Sequence, residues 1–373
     1  MTGLWPHVLR LALVAAVVAP PTRRAVAAAG LGWVYLMGVA CVVAIFAVPV
    51  ARAWARWRGV LDQPAARKVH RVPTPLLGGA AVYFAFAVTL LANFQFSPRL
   101  TGVALGASLV VALGIVDDVA DLRASVRLLG QVAATAVAML YGVVLAIVPE
   151  HLPGAAAVNM LLTLLWVLTV TNAIQFLDGM DGLAAGLAAI SGVFFSLTAL
   201  QTDQRYLMFL SAALVGACVG FLPFNFRPGG ATIFLGDSGA AFLGFTLAAL
   251  AVMGEWAEAK PLVALCAPML ILGVPLFDIA FVSVARVVTG KVHSVRHWLA
   301  YTGKDHIHHR FEALGLTKTE SVLLIYFIAG TLGLSALLLE RATPREAMVL
   351  LVQAGCVLAI VAVLEGVGRG RPG

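Results

Sequence analysis

Apolar residues in this chain come in blocks of membrane-spanning length, separated by short polar segments. A bilayer core requires roughly 20 apolar residues per helix, and about eleven blocks approach that length. They run over 31–51, 76–94, 100–117, 127–149, 156–176, 183–201, 206–223, 232–253, 262–286, 320–340 and 346–366. Before them, residues 8–20 form a shorter apolar stretch that ends in Pro20-Pro21 and is followed by Arg23-Arg24. Residues 1–30 are therefore read as a signal-like or dispensable extension and 31–373 as one membrane-embedded domain.

Composition agrees with the pattern. The 373 residues are 61% hydrophobic and 12% charged, with mean hydropathy +0.97, which excludes a soluble globular domain. The predicted fold is all-α, a polytopic helical integral membrane protein of about eleven transmembrane helices. Cys41, Cys218, Cys266 and Cys356 all lie within apolar runs at no metal-ligand spacing, so neither a disulfide framework nor a zinc site follows.

Net charge is +7. In a soluble protein that could point to nucleic acid, but here lysine and arginine first report topology, and no nucleic-acid partner is expected. With the span at residue 31 entering from outside, seventeen of the 25 Lys and Arg residues fall in inside segments and five outside. Asp follows the same side: all ten but Asp203 lie in or near inside loops, whereas five of the eight Glu lie outside. Short carboxylates gathered at one membrane face among basic and histidine side chains suit a site for a hard cation and phosphate.

The segment NAIQFLDGMDGL (172–183) links two spans, and its Asp178 and Asp181 are three residues apart, the same face of a helical turn. RKVHRVPTPLLGG (67–79) is a basic, proline-stiffened loop in which Lys68 and His70 could hold an anionic headgroup or merely mark the membrane edge. Asp117, Asp118 and Asp121 in DDVAD would place two or three carboxylates on one helix face, close to Arg123 and Arg127. NFRPGGATIFLGDSG (225–239) sets Asp237 between Gly236 and Gly239; a lone Gly-Asp is more often a turn than a ligand. The run DHIHHR holds His306, His308 and His309, three of the eight histidines. Asp278 lies inside the ninth block, costly in lipid, and reads equally as a helix-helix hydrogen bond or a catalytic group.

Taken in order, these segments resemble the polyprenyl-phosphate N-acetylhexosamine-1-phosphate transferases (glycosyltransferase family 4) from about residue 31 onward. The HIHHR form is closer to the undecaprenyl-phosphate GlcNAc-1-phosphate transferase branch than to the phospho-N-acetylmuramoyl-pentapeptide translocases. The resemblance implies a bacterial cytoplasmic-membrane enzyme with its active site at the cytoplasmic face, often a dimer. It would pass a sugar 1-phosphate from a UDP-sugar to undecaprenyl phosphate and release UMP, with Mg²⁺ as cofactor and Mn²⁺ as its substitute.

By the same resemblance, Asp117, Asp118 and Asp237 are catalytic, with Asp237 and Asp118 on the metal. Asn172, Asp178 and Asp181 line the nucleotide side, Phe234 stacks on uracil, His306, His308 and His309 contact phosphates, and Arg127 takes the lipid phosphate. Lys68 and His70 are carried with them. The chain departs from the family pattern at Gln175, where an asparagine is usual, and at Gly303, where an acid often stands and Asp305 is displaced. A membrane prenyltransferase with a DDxxD-like motif and a transporter are the readings from other classes. The first leaves Asp237 and the histidines without a role, and the second calls for polar groups at mid-membrane.

Overall fold

The computed structural model describes residues 22, 26, 28–63, 72–93, 97–256, 261–293, 303 and 305–368. Lys68, His70 and Lys304 lie outside them. The described chain is helical apart from one two-residue antiparallel ladder between β1 (Leu61–Asp62) and β2 (Thr74–Pro75). The helices are α1 (Gly32–Arg58), α2 (Gly78–Asn93), α3 (Pro98–Ala120), α4 (Ala124–Leu140), α5 (Ala155–Leu177), α6 (Leu183–Gln201), α7 (Arg205–Asn225), α8 (Gly236–Met253), α9 (Pro261–Ile271), α10 (Gly273–Val288), α11 (Ile307–Ala313), α12 (Lys318–Leu339) and α13 (Pro344–Gly368). Eight of them (α1, α3, α5 to α8, α12 and α13) are long and apolar enough to cross a membrane, while α2 and α4 are apolar but shorter. The molecule is a polytopic helical membrane protein.

Two blocks differ from the sequence expectation. The run 127–149 is helical only to Leu140, where Tyr141 caps the helix and Gly142 turns left-handed. The irregular chain beyond it is not left unpaired. Asn159 of α5 accepts from Val148 N and donates to Val148 O, both at 2.9 Å, and Thr163 Oγ1 accepts from Leu145 N. The run 262–286 is broken at Leu272 into α9 and α10. Pro275 has no N–H to give the Ile271 carbonyl four residues back, and Ser191 of α6 donates to that carbonyl instead at 3.1 Å. Non-helical backbone survives at membrane depth only with such partners.

α8 is the hub. It packs on α3, α5, α2 and α6, and 83% of its apolar window is buried against 17% for α13, whose surface is left to lipid. Its N-terminus docks by backbone contact. A Cβ on Gly79, the second residue of α2, would stand 2.1 Å from Gly239 Cα, and one on Gly114 of α3 would stand 2.3 Å from Ser238 Cα. Glycine is required where helices approach this closely. Gly78 N and Gly79 N also donate to Phe234 O and Leu235 O, so the glycine pair after the proline loop grips the segment that enters α8.

Gly79→Ala should push α8 away from α2, at about 1–3 kcal/mol for overpacking. The expected outcome is a lower melting temperature in detergent, and a melting curve identical to wild type would refute this docking.

Candidate active site

Because successive spans run antiparallel, the C-terminal ends of α3, α5 and α7 and the N-terminal ends of α2, α4, α6, α8 and α12 meet at one end of the bundle. The described parts of the polar segments singled out in the sequence collect there. DDVAD does not behave as a single helical face. α3 stops at Ala120, and Asp121 is its exposed, left-handed cap. Adjacent positions on a helix point about 100° apart, and that rotation separates Asp117 from Asp118.

Asp117 is buried and turns toward α4, where Oδ1 accepts from Leu122 N at 2.7 Å and Oδ2 accepts from Arg127 Nη1 at 3.2 Å. Asp118 turns toward α8. Its Oδ1 accepts from Asp237 N at 2.7 Å and its Oδ2 from Ser238 Oγ at 2.6 Å and Ser238 N at 3.3 Å. A carboxylate on the first N–H groups of a helix satisfies unpaired donors and opposes the helix dipole. Asp118 thus caps α8 from another helix and sets where Asp237 stands.

Asp237 is the open carboxylate of the group, its side chain 44% exposed, with Oδ1 3.5 Å from the Arg127 Nη1 that also serves Asp117. Gln175 stands within side-chain hydrogen-bonding reach of Asp237. Gln131 Nε2 donates to Gln175 Oε1 at 2.8 Å, and Asn172 Nδ2 donates to Gln131 Oε1 at 2.8 Å. A polar chain therefore crosses from α5 through α4 to Asp237, beside a narrow cleft lined by Asp117, Arg127, Gln131, Gln175 and Asp237.

The 178–182 segment is a turn, not a helix, because α5 ends at Leu177. Asp178 and Asp181 consequently do not share a face in the expected way. Asp181 Oδ2 accepts from Ala231 N at 2.9 Å, Gly182 N donates to Asn225 Oδ1 at 2.7 Å, and Tyr326 of α12 donates to Gly182 O. Asp178 is held well above the usual carboxylate range, first by burial and then by the negative charges of Asp237, Asp118 and Asp181.

The histidine run docks on the same turn. His306 lies 5.5 Å from the Phe176 ring. His308 packs so tightly over Gly179 that a Cβ there would stand 2.4 Å from Nε2. Among the described residues, neither ring nitrogen of the buried His308 has a hydrogen-bond partner, and burial, then His309 and His306, hold its pKa well below the usual imidazole range. His309 Nδ1 lies 3.5 Å from Glu312. Phe234 is tied by its backbone to Pro75 and Gly78.

Among the described residues no three His, Cys, Asp or Glu side chains are already gathered as a metal shell. The donor set nevertheless fits a hard divalent ion. Among the described residues, the carboxylates of Asp178, Asp237 and Asp118 lie close enough to repel one another. Mg²⁺ characteristically takes one or two carboxylates and completes its shell with substrate phosphates and water.

The family model described as "Glycosyl transferase family 4" matches residues 100–255. The chain is 34% identical to the probable undecaprenyl-phosphate N-acetylglucosaminyl 1-phosphate transferase of Bacillus subtilis (strain 168) over 312 residues, covering 82% of this chain and 84% of that protein. The chain belongs to glycosyl transferase family 4. It is also 30% identical to the decaprenyl-phosphate N-acetylglucosaminephosphotransferase of Mycolicibacterium smegmatis over 90% of this chain and 88% of that protein. With the phospho-N-acetylmuramoyl-pentapeptide-transferase of Desulforudis audaxviator it shares 32% identity over 73% and 86%.

Of the residues named from the sequence of this family member, Asp117, Asp118, Arg127, Asn172 and Asp237 are linked by the contacts above, and Asp178 feels the charges of Asp237 and Asp118. Asp181 faces the 225–235 loop, and the histidines reach the group through Phe176 and Gly179. Sequence reasoning left out Gln131, a polar residue four positions after Arg127 inside an apolar run, and Asn225, whose Nδ2 donates to Ile233 O. It also left out the fork from Arg286 Nε and Nη2 to Asp305, at 2.8 and 2.7 Å.

Burial raises the Asp305 pKa, but the hydrogen bond and charge of Arg286 outweigh it and hold the carboxyl below its usual range. A depressed carboxylate stabilises the fold above its unfolded pKa, and that stability is lost as pH falls through the folded value. Asp305→Asn should therefore lower the melting temperature at pH 7, by a cost of about 1.5–3 kcal/mol for the charge-assisted hydrogen bonds it weakens. The gap from wild type should narrow as the buffer is taken below about pH 4. A pH-independent gap would contradict the ion-pair origin.

Proposed function

We propose that this protein transfers N-acetylglucosamine 1-phosphate from UDP-GlcNAc to undecaprenyl phosphate, releasing UMP, at the cytoplasmic face of a bacterial inner membrane. The observation that carries the reading is the linked group of Asp117, Asp118, Asp237 and Arg127, joined at one end of the bundle to the 178–182 turn and the histidine run. The names of the relatives support it. A lipid acceptor accounts for a polar site at the bilayer face, and the preponderance of basic residues at that end favours the cytoplasmic side.

The reaction brings a phosphate monoester to a diphosphate. An oxygen of the acceptor phosphate bonds to the donor's sugar-linked phosphorus as the bond from that phosphorus to the bridging oxygen breaks, and UMP leaves with the electron pair. No side-chain nucleophile is required; the barrier is set by accumulated negative charge and by alignment. Mg²⁺, with Mn²⁺ as substitute, would be held by Asp237 with Asp118 and Asp178 close by, and would neutralise charge on the phosphates. Arg127, oriented by Asp117 and Asp237, meets the acceptor phosphate. His308, kept neutral, offers its unpartnered ring to phosphate oxygens, with His306 and His309 beside it. Asn172, Asp178 and Asp181 face the nucleotide, and Phe234 stacks on uracil. Lys68 and His70 are assigned to the anionic headgroup, and the working assembly is a homodimer.

The similarity to a phospho-N-acetylmuramoyl-pentapeptide-transferase makes the muramoyl-pentapeptide donor the runner-up. Polar groups gathered at one end of the bundle count against a transporter, and a site that uses Asp237 and histidines counts against a prenyltransferase.

The test uses purified protein in detergent with undecaprenyl phosphate and a panel of UDP-sugars, following UMP and lipid product. UMP release that requires lipid, UDP-GlcNAc and a divalent ion, abolished by chelator and by Asp237→Ala in folded protein, is the expected result. Turnover by Asp237→Ala at the wild-type rate would remove the metal assignment, and UMP from another donor alone would replace UDP-GlcNAc.

A further inference from the structure

Asp278 is buried in the second turn of α10, a position where a charge is expensive unless it has a task. Its partners are not on a neighbouring spanning helix. Oδ2 lies 2.6 Å from His306 Nδ1, and Oδ1 accepts from Ile307 N at 2.7 Å. Eight residues along the same helix, about 12 Å of rise, Arg286 forks onto Asp305. α10 therefore grips three consecutive residues, Asp305, His306 and Ile307, at the start of the histidine run. The His306 ring centroid also lies 5.5 Å from that of Phe176, two residues before Asp178, and 6.2 Å from that of a nearly parallel His308 ring.

We propose that Asp278 is a positioning residue for the transfer reaction: it fixes the His306 ring with the proton on Nδ1, so that Nε2 is the nitrogen turned to the substrate phosphates. The inference rests on the sugar-phosphate transfer reading above. A carboxylate accepts from an imidazole N–H and so selects the tautomer; the Ile307 N–H on its other oxygen prevents the carboxylate from swinging away. A helix-packing role would need neither the ring nitrogen nor the two-point grip.

Asp278→Asn separates the two roles. The amide keeps the volume and can still accept from Ile307 N, but its NH₂ must donate to Nδ1, which drives the proton to Nε2. The expected result is folded protein with kcat reduced about 10- to 100-fold, as for other groups that orient a reacting histidine's ring, and with KM for the UDP-sugar changed less than about threefold. Combined with His306→Gln, it should add less than about threefold to the loss from His306→Gln alone, because both act through one ring. Wild-type kcat in Asp278→Asn, or losses that multiply in the double variant, would overturn the proposal.

A second measurement needs neither turnover nor a folded Asp278 variant. In ¹⁵N-histidine-labelled wild-type protein, with His306→Gln used for assignment, Nδ1 of His306 should carry a proton at neutral pH. An unprotonated Nδ1 would overturn the proposal even if the transferase reaction is confirmed. A protonated Nδ1 in protein that releases no UMP would leave the grip intact while refuting the reaction assigned to it.

Discussion

The arrangement of the site depends on how the N-terminus of α8 is seated. That end carries backbone N–H groups with no partner within the helix, each costly if buried without one. Asp118 meets them from α3, and Gly79, Gly114 and Gly239 let the three backbones close to contact distance. The cap and the close approach support each other. Asp118 could not reach Ser238 if α3 and α8 were a side chain further apart, and the glycine contacts would bury orphaned donors without the carboxylate. Asp237, one residue into α8, inherits its position from this joint.

Around that joint charge is balanced unevenly. Arg127 is shared by Asp117 and Asp237, while Asp178 is exposed to the negative charges of Asp237, Asp118 and Asp181. Like charges packed this closely are relieved by protonation or by a cation. The polar chain from Asn172 through Gln131 and Gln175 surrounds the cluster with hydrogen bonds and no further charge. Gln175, the departure from the family pattern, does this with a longer side chain than asparagine, reaching both Gln131 and Asp237.

The histidine run is attached by a different principle. Its short helix α11 has only seven residues and depends on α10 for its register, through one carboxylate and one guanidinium. Elsewhere the same demand for partners explains Ser191 on the Ile271 carbonyl and Asn159 on Val148: at both places a neighbouring side chain takes over the lost bond. The polar end of the bundle and the structural joints follow one accounting of donors and acceptors.

What the sequence determined by itself was the class of solvent and the inventory of chemistry. Apolar blocks of spanning length call for a bilayer, and aspartates and a histidine run gathered in or beside the segments at one end mark that face as polar, because both signals are local and costly to violate. Partnership was not legible. Asp117 and Asp118 are neighbours of identical type, and only the rotation of α3 against α4 and α8 makes one a partner of arginine and the other a helix cap. The end of α4 at Leu140, the break at Leu272, the service of Gln131, and the choice of His306 as the partner of Asp278 likewise depend on groups tens of residues away. A polar residue shows the same face to sequence reasoning whether it caps, bridges or binds; tertiary packing decides by bringing up the atom that satisfies it.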